Sequence, residues 1–151
     1  MNSKKIFLLT SLMLFLGFTT FAQIKVGPPP PSMPSNNNKK IINEIIDVTH
    51  LEQYFIDYCT KKIKAHAIKH EWKDKKTTQT LNSINFRYYR STVYNSYASY
   101  TKKQLEQILE LMTSLNKDKK GFSTMILLNP MMQSNLELHV KSLIEGKYIM
   151  D

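Results

Sequence analysis

Glycine is scarce in this chain, and past residue 38 only Gly121 and Gly146 remain. No loop can therefore cradle a phosphate as a P-loop or a dinucleotide fingerprint does. A Gly-x-Ser-x-Gly elbow is missing, which removes the nucleophile of an α/β-hydrolase. No acidic loop has the spacing of a calcium site. Carboxylates such as Glu52 and Asp57 are scattered, with nothing in the sequence to pair them as acid and base. Cys59 is the sole cysteine, so no intramolecular disulfide forms and stability must come from core packing. Cys59 reads as a small buried hydrophobe, with an intermolecular disulfide as the alternative. Arginine is confined to Arg87 and Arg90. The expectation is a protein with no catalytic residue, no cofactor-binding residue and no cofactor.

What is present begins with an export signal. Met1–Lys5 is a basic opening, Ile6–Phe18 an apolar run, and Thr20-Phe21-Ala22 places small residues before a cleavage point at Gln23. This reads as a cleaved secretory signal peptide over 1–22, with an uncleaved anchor as the alternative. No cysteine follows the apolar run, which excludes a lipoprotein anchor there. The protein is expected to be periplasmic or extracellular. Without Lys4 and Lys5, 19 basic side chains stand against 12 acidic ones, a net charge of +7. Such an excess suits anionic partners, but its spread over Lys61–Lys64, Lys73–Lys76, Lys102–Lys103 and Lys117–Lys120 reads first as solvated helix surface.

Residues 23–38 include GPPPPSMPSNNN, a Pro/Asn-rich stretch with nothing to bury, expected to be a disordered or semi-rigid linker. Residues 39–151 are expected to be one helical domain. A first helix should run from Lys39, capped by Asn37 or Asn38, to Val48, with Ile41, Ile42, Ile45 and Ile46 inward. Thr49-His50-Leu51-Glu52 reads as a capping box opening a second helix from His50 to about Trp72, which buries Leu51, Tyr54, Phe55, Tyr58 and Ile63. Lys73–Thr78 reads as a basic break. A long third helix is expected from Thr77 or Thr78 to about Ser99, with Leu81, Ile84 and Tyr88 in one apolar row and Phe86, Tyr89, Val93, Tyr97 and Tyr100 in another.

The clearest helix starts at Thr101. Gln104 can reach back to the cap, Tyr100 and Leu105 can staple it, and Leu105, Ile108, Leu109, Met112 and Leu115 form its stripe. Asn116–Gly121 has turn composition. A further helix is expected from Lys119 or Phe122 through Leu127, broken at Asn129 by Pro130. The last helix carries Met131, Met132, Leu136, Leu138, Val140, Leu143 and Ile144 and stops before Gly146. The fold class is all-α, an antiparallel bundle of five or six helices.

His66 and His70 are the metal-ligand candidates. Four residues apart on a helix, two imidazoles can grip one ion. A metalloprotease helix carries its general-base Glu directly after the first His; here Ala67 stands there, and Glu71 lies at another azimuth. A third ligand would have to come from elsewhere, such as Glu71 or His139. Without one, the pair reads as surface histidine near a helix C-terminus. Phe86-Arg87-Tyr88-Tyr89-Arg90 combines stacking rings with guanidinium groups, as single-stranded nucleic-acid sites do. Helical packing accounts for the same spacing with the arginines outside, so no nucleic acid is expected.

The second half resembles a known type. An aromatic-Thr-x-x-Gln-Leu helix start at Tyr100–Leu105, then Gly121, then Pro130 ahead of MMQSNLE, is similar over 86–145 to the domain-of-unknown-function family numbered 2059. Those are small exported helical bacterial proteins. The chain departs from that pattern at Lys102-Lys103, where the family carries an acidic residue, and at Lys119-Lys120, where it has Ser-Pro. The family has no established activity, so the resemblance implies fold and export alone. The functional expectation is an exported, non-catalytic helical protein that binds an unknown protein or envelope component. The alternatives are a metal-binding protein or metal-dependent hydrolase using His66 and His70, and a basic module that associates weakly with anionic membrane or glycan surfaces.

Overall fold

A computed structural model describes residues 33–118, 124 and 127–149. The expected signal peptide, the proline run and most of the helix expected around Phe122 lie outside the described residues. Within them the chain is all-α, with six helices: α1 Asn36–Val48, α2 Leu51–Lys69, α3 Asp74–Asn82, α4 Phe86–Ser96, α5 Lys102–Asp118 and α6 Pro130–Ile144. None of these is long and apolar enough to cross a membrane.

α1 starts three residues earlier than its composition suggests. The Ser35 hydroxyl accepts from the Asn38 N–H at 3.3 Å, so the N-cap draws Asn36–Asn38 out of the linker and into the first turn. Ile41, Ile42, Ile45 and Ile46 are all buried, and α1 makes its broadest contact with α5. Two long-range hydrogen bonds set their relative direction. Asn38 Nδ2 donates to the Tyr100 carbonyl at 3.0 Å, and Asn116 Nδ2 donates to the Val48 carbonyl at 2.9 Å. The start of α1 thus lies by the start of α5, and end by end, so the two run parallel.

Thr49 does not open a capping box. It is buried, and its hydroxyl donates back to the Ile45 and Ile46 carbonyls at 2.7 and 3.2 Å, closing α1. Its own carbonyl accepts from the Thr124 hydroxyl. The N-cap position of α2 falls to His50, in a left-handed conformation and without a side-chain cap. α2 ends at Lys69 rather than Trp72. His70 is the C-cap, Glu71 turns left-handed at φ 49, and the Trp72 N–H reaches the Ala67 carbonyl at 2.9 Å while the Glu71 N–H reaches Ile68 at 3.3 Å. That is the Schellman hydrogen-bond pair, built on a glutamate where glycine is usual.

The long third helix is two helices. Asp74–Asn82 begins inside the expected basic break, and Ser83–Asn85 separates it from α4. The Asn85 side chain accepts from the Arg87 N–H at 2.9 Å, a cap that favours a new helix start over continuation. α5 opens as expected: the Thr101 N–H donates to Gln104 Oε1 at 2.8 Å, and the Gln104 N–H donates to the Thr101 hydroxyl at 3.4 Å. It continues through Asn116–Asp118, which composition assigned to a turn. Leu105 and Met112 are buried, while Leu109 is only half-buried. α6 starts at Pro130 with Asn129 as its cap. It closes on a second Schellman pair, with Gly146 at φ 82 and the Lys147 N–H on the Ser142 carbonyl at 2.8 Å. Met132, Leu136, Val140 and Leu143 face inward, whereas Met131 and Leu138 are exposed.

The core gathers around Phe55 of α2. Its ring lies 5.4 Å from Phe86, 5.1 Å from Tyr89 and 5.2 Å from His139, centroid to centroid. Buried aromatic pairs at such spacing add about 0.5–1.5 kcal/mol beyond their area. The Tyr89 hydroxyl donates to the Met132 carbonyl at 2.7 Å, joining α4 to α6. Burial holds the hydroxyls of Tyr89 and Tyr97 well above the ordinary phenol range, as expected when the charged form would lose its water.

Candidate functional site

An open groove of about 520 Å³ lies between α2 and α6. Tyr58, Val140 and Ile144 supply its apolar wall, and Lys62, Glu137, Lys141 and Glu145 its charged rim, with His66 at one end. The rim is already organised. Gln133 Nε2 donates to Glu137 at 3.1 Å and to the Tyr58 hydroxyl at 3.4 Å. Lys62 Nζ sits 5.4 Å from the Tyr58 ring centroid. Glu145 meets Lys147 at 2.9 Å and Lys141 at 3.8 Å. The Lys147 hydrogen bond holds the Glu145 carboxyl below its usual range and keeps the Lys147 ammonium above its own. Spacing along one helix could not reveal this groove, because it exists only where two helices meet.

His66 and His70 do share a face, with ring centroids 4.1 Å apart and nearly parallel planes. His66 also meets the edge of Trp72 at 5.1 Å. Burial, then the positive charge of His70, Lys76 and Lys69, holds His66 below the ordinary histidine value. The third ligand does not join them. His139 is turned into the core between Phe55 and Tyr148, at 5.2 and 5.9 Å, and Glu71 lines a separate depression with Lys64, Ile68 and Trp72. Among the described residues no group of three His, Cys, Asp or Glu side chains converges as a metal site.

Cys59 is fully buried, as its spacing suggested, and burial pushes its thiol up to about 12. It is an inert packing residue at neutral pH. His139 is 8% exposed, its Nε2 is buried without a hydrogen-bond partner among the described residues, and burial lowers its pKa. Arg90 lies 3.4 Å from Glu52 across α4 and α2. Phe86 and Tyr89 are buried while Arg87 and Tyr88 are exposed, which is a packing pattern rather than a continuous stacking platform. No protein-family model, no curated protein and no solved structure matches this chain.

Proposed function

We propose that this is an exported, non-catalytic helical protein that binds a protein or envelope component in the periplasm or outside the cell, through the α2–α6 groove. The observation that carries the reading is the groove's composition: an apolar wall of Tyr58, Val140 and Ile144 framed by charges of both signs. Interfaces are built this way, with an apolar centre and a polar rim. The histidine at the groove, His66, stacks on His70 and meets the edge of Trp72. Export rests on the residues of 1–22 and agrees with the resemblance over 86–145. Capture of a partner from envelope extract by the chain from Gln23 onward tests the reading. The double variant Glu137→Lys/Lys141→Glu, on two exposed positions, should abolish capture at unchanged melting temperature. Turnover of a substrate that vanishes with His66→Ala or His70→Ala would overturn it.

A further inference from the structure

The lysines are not evenly spread. Between 61 and 76, seven of them (Lys61, Lys62, Lys64, Lys69, Lys73, Lys75 and Lys76) stand against two acids, Glu71 and Asp74. All seven are exposed, and none makes an ion pair with a described residue. The stretch is the last turns of α2, the Schellman turn and the first turn of α3; Lys62 turns to the α2–α6 groove, and the other six stand around the corner that the turn makes. On α2 the inward positions are Cys59, Ile63 and Ala67. Helical geometry puts Lys61, Lys64, Ala65 and Ile68 on the opposite, outward face. At the middle of that face Ile68 is 80% exposed. Four residues on stands Trp72, with Lys76 Nζ 3.8 Å from its ring centroid. Ile68 and the half-buried Trp72 line one depression together with Lys64 and the two acids Glu71 and Asp74, so the lysines around its edge supply the net positive charge.

We infer that this corner docks on an anionic bilayer surface, the lysines meeting lipid headgroups while Ile68 and Trp72 enter the interface. Charge complementarity selects an anionic partner. The apolar tip selects lipid over a soluble polyanion, because a glycan or nucleic acid offers no hydrocarbon in which Ile68 could be buried. Tryptophan favours the headgroup level, where its apolar body and N–H are both satisfied, and basic residues beside it add electrostatic attraction to anionic lipid. The depressed pKa of His66 fits the same picture, since the positive field of the corner contributes to it. The inference goes beyond the groove reading and draws on export only for the processed form that is tested.

Trp72 is the only tryptophan, so its emission reports on this corner alone. The chain from Gln23 onward is titrated with vesicles of phosphatidylglycerol and phosphatidylcholine, and with phosphatidylcholine alone. The account expects a blue shift on the anionic vesicles, none on the neutral ones, and loss of the shift as salt shortens the screening length. Lys64→Gln/Lys69→Gln should weaken binding about thirtyfold, as for two lysines near an anionic surface. Ile68→Ser should weaken it with the melting temperature unchanged, while Lys102→Gln/Lys103→Gln should leave it intact. A missing blue shift overturns the inference. So does equal weakening by the Lys102/Lys103 pair, or vesicle binding by Ile68→Ser undiminished. Capture through the groove is scored separately with Glu137→Lys/Lys141→Glu, so failure on vesicles leaves that reading standing.

Discussion

The two halves of α2 are continuous in backbone and opposite in use. From Leu51 to Ile63 the helix sends Leu51, Phe55, Cys59 and Ile63 into the core, each fully buried. From Lys64 to Lys69 only Ala67 turns inward, and Ile68 stands in solvent. The difference lies in what covers each half: Phe86 and Tyr89 of α4 and His139 of α6 close over Phe55 in the first, whereas the second borders the open groove at His66 and leads around the corner into α3. A helix anchored at one end by packing can thus present its other end as a rigid surface, with no loop needed to carry the contact.

That contrast can be broken from the buried side first. Phe55→Ala removes the ring that touches Phe86, Tyr89 and His139 and should cost about 3–5 kcal/mol, read as a large fall in melting temperature or outright failure to fold. Tyr97→Asp, at a buried position, should do as much, because an unpaired buried charge costs several kcal/mol. An unchanged melting temperature for either would refute the core assignment.

A pH titration sharpens it. His139 is kept neutral by burial, with a folded pKa below its unfolded value of about 6.5. Its neutral form therefore contributes stability above the unfolded value, and that contribution fades as pH falls through the window between the unfolded and folded values. Urea midpoints at pH 7.5 and pH 5.5 should differ for the wild type and differ less for His139→Phe, which keeps a ring against Phe55 and Tyr148 but cannot titrate. Equal pH dependence in both would show that His139 is not the group responsible.

Smaller effects belong to the surface. Thr101→Ala loses the reciprocal Thr101–Gln104 cap and should cost about 0.5–2 kcal/mol. Ile68→Ser, at a solvated position, should stay within about 0.5 kcal/mol of wild type. Thermal melts suffice for both, and a cost for Ile68→Ser comparable with that of Phe55→Ala would erase the distinction between the halves.

Periodicity made much of the helical fold legible: the isoleucines of α1, the Leu51-Phe55-Cys59-Ile63 row, and the capped start of α5 are where spacing placed them. The breaks were harder to read. Thr49 spends its hydroxyl on the helix it ends rather than the one it precedes, and Glu71 adopts the left-handed turn that sequence rules look for at glycine. Asn85 starts a helix inside a run whose aromatic rows look unbroken. The His66–His70 pair was visible in the sequence, since both sit on one helix. The groove was not, because it needs α6 laid beside α2; the lysine-rich stretch 61–76 is plain in the sequence, but the turn at Glu71 that sets Ile68 and Trp72 beside one depression is not.

The most direct test of a packed half joined to a docking half is amide hydrogen exchange across α2, with and without phosphatidylglycerol vesicles. The free protein should show slow exchange over 55–63 and faster exchange over 66–72, since exposed, sparsely packed turns open at lower free energy. Vesicles should add protection within 61–76 and leave 55–60 unchanged. Uniform exchange along the helix, or vesicle-induced protection that avoids 61–76, would contradict the account.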